Sequence, residues 1–272
     1  MIMENYINKE YYLPLLKEFC KKTIPLYKCG YPQGPFIPYT MPNYRNAPIK
    51  IIYIGQDSSD WTRCNVLEDA YRNNCLEKYL EANSSNVNIG NMFDWKNKNG
   101  AFWPFVEKLH LLIRTGVYFP DITSINNEHK EIIKEVGYGN LYSIEIPRTI
   151  KKRIDSYEDI EVWKLISDKK QYQMIREAAK PFETVKSMIE AYNPDIMFVL
   201  SWTEKDDFLA GTDFQRQSEL LEEPFQAIYI SKLYHTKIIW SLHPNRFSFE
   251  RTNTEEMCHY LADTYKKIYT SI

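Results

Sequence analysis

Two segments far apart in the chain place polar side chains directly after apolar, strand-like residues. Residues 51–57 read IIYIGQD, and residues 238–248 read IIWSLHPNRFS. Because the carboxyl ends of parallel strands meet in one crevice of an open α/β sheet, we expect Asp57 and His243 to lie at one site. A carboxylate and an imidazole in such a crevice are capable of catalysis, and Gly55 would let the backbone approach a ligand closely. Each polar residue also has a structural interpretation, since Asp57 could cap the following helix and His243 could be a structural histidine.

Strands and helices alternate along the sequence, which predicts how these two segments are positioned. Apolar runs rich in β-branched residues predict strands over residues 49–54, 139–146, 195–201, 226–231 and 237–242. Helical spacing of apolar residues predicts helices over residues 11–22, 65–81, 173–191 and 252–269, with a further helix that begins near Phe102. The alternation is typical of a three-layer α/β/α sandwich with a central, mainly parallel sheet of about four strands. We expect residues 1–47 to form an N-terminal extension packed on the core, and residues 48–272 to form the α/β/α domain.

Composition and charge limit the classes of protein to which the chain can belong. With 272 residues, of which 44% are hydrophobic, the chain can bury a large core. The formal net charge of -2 weighs against strong nonspecific binding to DNA, although it is compatible with a local basic groove. Residues 147–153, which read PRTIKKR, are the best candidate for such a groove, and a solvated basic face is the alternative.

The spacing of cysteines and histidines predicts neither a disulfide framework nor a metal site. The five cysteines are odd in number and scattered, without a Cys-x-x-Cys pair, and the histidines share no ligand spacing. The sequence has no apolar run of about 18 residues, and residues 1–9 lack the apolar segment of a signal peptide. We therefore expect a cytoplasmic, monomeric protein that needs no metal and no cofactor and does not enter a membrane.

The two segments together resemble the uracil-DNA glycosylase superfamily. That superfamily carries Gly-Gln-Asp-Pro-Tyr-His after its first core strand and His-Pro-Ser-Pro-Leu-Ser after its last. Here residues 55–60 read GQDSSD and residues 243–248 read HPNRFS, in the matching order. Residues 55–61 are also similar to a glycosylase-like bacterial branch whose first motif reads Gly-Gln-Glu-Thr-Asn-Gly-Trp or similar, with Asp57 at the acid position and Trp61 at the tryptophan. The likeness extends over roughly residues 48–270 as a pattern of elements.

The resemblance implies an activity and assigns roles to both polar residues. Asp57 stands where the superfamily acid orients and activates water and stabilises positive charge on the sugar. His243 stands where a histidine stabilises the departing base anion. Breaking an N-glycosidic bond develops both charges in the transition state, so neither role needs a metal. The resemblance therefore implies hydrolysis of the bond that holds uracil or another modified base in DNA, with the target nucleotide flipped out of the stack.

Further residues match the positions at which the superfamily binds its substrate. Asn140 is the closest match to the asparagine that reads the edge of the base, with Ser143 as the alternative. Phe247 falls where the superfamily places an apolar wedge that enters the base stack, and simple packing in the core is its alternative. Aromatic residues available to stack on a base are Trp61, Phe93 and Phe102. The remaining substrate-binding candidates are Gly55, Gln56, Asn245 and Arg246, the last of which could hold a phosphate.

The first motif departs from the superfamily pattern at three positions. Ser58, Ser59 and Asp60 stand where the superfamily has proline, tyrosine and histidine. Because that tyrosine excludes thymine, the target base is left open. Two other functions are also left open, namely a catalytically inactive module that binds nucleic acid or nucleotides, and a hydrolase of free nucleosides or nucleotides. The latter would act on small substrates without salt-sensitive affinity for DNA.

Overall fold

The computed structural model describes residues 5–26, 34–57, 64–86, 101–123, 125–144, 169–202, 204, 206–217 and 226–270. Within these residues the chain is an α/β protein built on one mixed, seven-stranded sheet in the order β1-β3-β2-β4-β7-β6-β5. The parallel pairs are β2 with β3, β2 with β4, and β4 with β7, whereas β1, β5 and β6 join the sheet antiparallel. The strands are β1 (Tyr39–Thr40), β2 (Ile51–Asp57), β3 (Val136–Tyr142), β4 (Ile196–Ser201), β5 (Gln215–Arg216), β6 (Gln226–Ile230) and β7 (Lys237–Leu242).

The predicted α/β class is confirmed, but the sheet has more strands than the sequence indicated. The two outermost strands, β1 and β5, are two residues long, which is too short for an alternating pattern to be detected. β3 begins at Val136 rather than at residue 139, because Val136 and Gly137 pair with Ile51 and Ile52 of β2. This shift places Asn140 in the second half of its strand.

Two predicted helices are each divided in the structure. The helix predicted over residues 65–81 is α2 and α3, with Asn74 in the left-handed region (φ 52°) between them. The helix predicted over residues 173–191 is α6 and α7, separated by a 3-10 turn that contains Pro181, a residue without the N–H that a helix interior requires. The helices are α1 (Lys9–Thr23), α2 (Cys64–Arg72), α3 (Leu76–Asn86), α4 (Phe102–Thr115), α5 (Asn127–Ile133), α6 (Lys169–Ala179), α7 (Val185–Tyr192) and α8 (Thr254–Thr270).

Successive residues of the central strands face different helices. Tyr53 of β2 stacks on Phe198 of β4, with ring centroids 5.2 Å apart, and hydrogen-bonds His110 of α4 at 3.2 Å. Gly139 of β3 instead faces α7, because a Cβ added to it would lie 2.5 Å from the sulfur of Met188. We call these two sides of the sheet the α4 face and the α7 face. Side chains at alternate positions therefore belong to different faces.

The described N-terminal residues pack against the sheet. Tyr6 forms a β-bridge with Thr40, and the Asn8 side chain donates to the carbonyl of Ala191 at 2.8 Å. α1 contributes Tyr12, Leu16 and Phe19 to the same hydrophobic core that contains the central strands. None of the helices in the described ranges is long and apolar enough to span a membrane.

Candidate active site

β2 and β3 bring Gly55 and Asn140 side by side near the carboxyl edge of the sheet, where they are partners in the parallel register. Asn140 is 1% exposed. A Cβ added to Gly55 would lie 2.8 Å from the Asn140 Oδ1, 3.1 Å from the Tyr138 hydroxyl and 3.3 Å from a ring carbon of Phe102. The absence of a side chain at Gly55 is therefore what allows these three groups to converge on the backbone of β2.

Phe102 and His243 close the same region. Phe102 is the first residue of α4, and His243 directly follows β7, held by a hydrogen bond from its backbone N–H to the carbonyl of Ser201 at 2.9 Å. Their rings are stacked, with centroids 5.9 Å apart and planes inclined by 25°. The predicted candidates Gly55, Asn140, Phe102 and His243 thus meet on the α4 face, although they come from four separate parts of the chain.

The surroundings of His243 determine its charge and its tautomer. Burial lowers the pKa of His243 from 6.5 to about 4, so the imidazole is neutral at physiological pH. The backbone N–H of Asn245 donates to Nδ1 at 3.2 Å, which requires a lone pair on that nitrogen. The proton of the neutral ring therefore resides on Nε2, and Nε2 is a hydrogen-bond donor. This bond also caps the 3-10 turn Pro244–Arg246.

Asn140 is oriented by a neighbour that the sequence did not indicate. The hydroxyl of Tyr138, two positions earlier on the same face of β3, donates to the Asn140 Oδ1 at 2.8 Å. The amide nitrogen of Asn140 is then the end that can donate to a ligand. Ser143, the alternative candidate, is bound elsewhere, because its backbone N–H and its hydroxyl both donate to the Glu183 carboxylate at 2.8 and 3.0 Å.

Arg246 and Gln56 join the loops at this edge of the sheet. Arg246 donates from Nη1 to the Trp202 carbonyl at 2.8 Å and from Nη2 to Glu250 at 2.6 Å. The backbone N–H of Trp202 in turn donates to the Gln56 Oε1 at 2.6 Å. Arg246 is therefore ion-paired and bridges loops, and Asn245 is exposed beside it.

The structure favours packing, rather than wedge insertion, for Phe247. Its side chain is 4% exposed and its ring meets that of Phe105 edge-on, with centroids 5.1 Å apart. The exposed aromatic residue in this loop is Phe249, at 76% exposure. Sequence reasoning missed Phe249 because no pattern distinguishes it among the 13 phenylalanines of the chain.

Several candidates lie outside the described residues. The backbone of Asp57 is described and ends β2 in register with Tyr142, but its side chain is outside that part of the structure. Trp61, Phe93, residues 58–60 and the basic run 147–153 lie entirely outside the described residues. Within the described ranges, no group of three or more His, Cys, Asp and Glu side chains is arranged to hold a metal ion.

Comparisons with known proteins found no match that bears on this site. No protein-family model matches the chain, and no curated protein or solved structure matches it.

Proposed function

We propose that this protein hydrolyses the N-glycosidic bond of uracil or another modified base in DNA. The observation that carries the proposal is the convergence of Asn140, Phe102 and a neutral His243 around Gly55, at the edge of the sheet where β2 ends in Asp57. Such a reaction requires a planar group that stacks on the base, a donor to the edge of the base and a donor to the leaving base. Phe102, Asn140 and His243 are the residues that could supply them.

The fold assigned with this proposal is the three-layer α/β/α sandwich of the uracil-DNA glycosylase superfamily. Two observations support it. His110 of α4 contacts one face of the sheet, and Met188 of α7 contacts the other. β3, β2, β4 and β7 form a continuous parallel centre. The carboxyl ends of these strands are where open parallel sheets bind their ligands.

In the proposed complex the extruded base lies against Phe102. The amide nitrogen of Asn140 donates to an acceptor on the base edge, because the Asn140 oxygen is already occupied by Tyr138. A carbonyl oxygen, as in uracil or hypoxanthine, meets this requirement. Gly55 keeps the floor of the pocket open, since any side chain there would occupy the space beside Asn140.

The proposed chemistry divides between the two residues at the strand ends. As the bond between the base nitrogen and the sugar C1′ breaks, its electron pair goes to the base, and Nε2–H of His243 donates a hydrogen bond to the resulting anion. A neutral donor suits this role, because its hydrogen bond strengthens as negative charge develops on the base in the transition state. Asp57 accepts a proton from the water that adds to C1′, which yields the abasic sugar. The base leaves as its anion and takes up a proton from solvent, and Asp57 returns its proton to solvent.

Duplex DNA must release its target nucleotide before this reaction. We assign the residue that enters the base stack to Phe249, because its ring is exposed in the loop that follows His243, whereas Phe247 is packed in the core. Apolar side chains inserted between base steps unstack them and promote extrusion of the nucleotide. The substrate partner in this proposal is DNA, bound by a monomer.

The test is incubation of the purified protein with labelled single- and double-stranded oligonucleotides that carry one uracil, hypoxanthine or other modified base. Alkali then breaks the strand wherever a base has been removed. Asp57→Asn is the test variant, and Asp263→Asn, on the exposed side of α8, is the matched control. Breaks that depend on Asp57 but not on Asp263 support the proposal. DNA binding without breaks would replace it with the binding module, and turnover of free nucleosides alone would replace it with the nucleoside hydrolase.

A further inference from the structure

A cavity opens at the same edge of the sheet, and its lining does not include Asn140, Phe102 or His243. Its volume is about 400 Å³, and its walls include Gln56, Leu141 and Ser201 from the ends of three central strands. Cavities of about 300–1,000 Å³ are the size that holds small organic ligands. We call this space the α7-face cavity, because its wall also includes Thr184, the N-cap of α7.

Strand alternation places the two sites on different faces. Gln56 and Leu141 directly follow Gly55 and Asn140, and successive side chains of a strand point to opposite sides of the sheet. Gly55 and Asn140 meet Phe102 on the α4 face, whereas Gln56 and Leu141 line the α7-face cavity. A ligand in this cavity would therefore contact different residues from those around His243, although Tyr142, the last residue of β3, also reaches the cavity wall.

The charges around the α7-face cavity are balanced. Arg176 binds the Glu183 carboxylate through both terminal nitrogens, at 2.6 and 2.9 Å, and both side chains are largely buried. Lys180 lies at the wall and pairs with Glu177 at 2.7 Å, and Asp207 adds a carboxylate. Because the guanidinium charge is already neutralised by a bidentate partner, the cavity favours an uncharged ligand over a phosphate or a carboxylate.

The remaining lining groups suit a planar heterocycle. The Tyr142 ring lies 4.9 Å from the Arg176 guanidinium carbon, and the largely buried Phe208 supplies a second aromatic wall. The Gln56 oxygen accepts from Trp202, so its amide nitrogen is the end that can donate to a ligand carbonyl or ring nitrogen. Asp207 can accept from a ring N–H or an amino group.

We propose that the α7-face cavity binds a free nucleoside through its uncharged heterocyclic base. Aromatic surface, one amide donor and one carboxylate acceptor complement the face and the edge of a nucleobase. The sugar would lie toward solvent. Binding of a nucleoside here does not require the proposed glycosylase activity, because Asn140, Phe102 and His243 are not among the residues that line the cavity.

The experiment is isothermal titration of the full chain with uridine, cytidine, adenosine and guanosine, and with the matching 5′-monophosphates. Ala210→Trp fills the cavity from its exposed rim, and Asp207→Ala removes its acceptor with little risk to folding. Asp263→Asn, on the exposed side of α8, is the matched control, and Phe102→Leu shows whether a ligand occupies the candidate active site instead. We expect at least one nucleoside to bind, with ~10-fold or greater loss of affinity in Ala210→Trp and Asp207→Ala and no loss in Asp263→Asn.

Three results would overturn the inference. The first is that no nucleoside binds. The second is binding that Phe102→Leu abolishes while Ala210→Trp leaves it intact, because the ligand would then occupy the α4 face. The third is a monophosphate that binds ~10-fold more tightly than its nucleoside, since that would contradict the charge balance at Arg176 and Glu183.

Discussion

Substitution of Gly55 by alanine tests the geometry of the candidate active site. The new Cβ would lie 2.8 Å from the Asn140 Oδ1, whereas ordinary contacts begin at 3.4 Å. Asn140 must therefore move by at least about 0.6 Å, and it is buried and hydrogen-bonded by Tyr138. Overpacking of this kind costs about 1–3 kcal/mol, and we expect Gly55→Ala to lower the free energy of unfolding by that amount.

The cause of this loss can be isolated by a double-mutant cycle with Asn140→Ala. Truncation of Asn140 removes the closest contact of the new Cβ, and the next two are the Tyr138 hydroxyl at 3.1 Å and the Phe102 ring at 3.3 Å. Gly55→Ala should then cost about 1 kcal/mol less in the Asn140→Ala background than in the wild type. The assay is urea unfolding of the four proteins. Costs that add within about 0.3–0.5 kcal/mol would refute the placement of Asn140 against Gly55.

Three further predictions follow from buried groups and from the loop after β7. Burial lowers the pKa of His243 from 6.5 in the unfolded chain to about 4 in the folded protein. Because the unfolded chain therefore takes up a proton first as the pH falls, about 3 kcal/mol of stability is lost by pH 4. His243→Gln should lose less stability between pH 7.5 and 4.5 in urea unfolding, and equal losses would contradict this. Burial raises the pKa of Glu107 to about 8, so stability falls as the pH rises from 4.5 to 8, and Glu107→Gln should flatten this decline in the same assay. Phe249→Ala should slow base release from duplex DNA, but not from single strands, and should leave folding unchanged. Phe247→Ala should instead destabilise the fold by about 3–5 kcal/mol. A rate on duplex DNA that Phe249→Ala leaves unchanged would argue against insertion of Phe249 into the base stack.

The spacing of apolar residues predicted which helices and strands lie near the site, but it was less accurate about the residues at which they begin. The Asn253 side chain accepts the backbone N–H of Glu256 at 2.9 Å and caps α8, which begins at Thr254 rather than at the predicted residue 252. β3 begins three residues before the predicted start, because Gly137 and Gly139 interrupt its apolar pattern and pairing with β2 defines the strand. That error made Asn140 look like the beginning of a strand.

The strand-end motifs named Gly55 and His243, and the resemblance named Asn140, but neither indicated how each residue is held. Gly55, Asn140 and His243 come together because they follow the parallel register, which alternating strands and helices already indicate. Phe247 and Phe249 have the same residue type and differ only in which of them faces Phe105, so the sequence does not separate them. The α7-face cavity depends on the Arg176–Glu183 pair, which joins α6 to the turn before α7 and leaves no sequence motif.

The proposed reaction breaks the N-glycosidic bond through Asp57 and His243. The most direct measurement is quantification of free base and abasic sites by mass spectrometry, under single-turnover conditions, with the best substrate found in the oligonucleotide screen. We predict equal amounts of both products from the wild type and from Asp263→Asn, and rates lowered about 100-fold or more in Asp57→Asn and in His243→Gln. Base release that persists at the wild-type rate in both site variants, or no release from any substrate by the folded wild type, would contradict it.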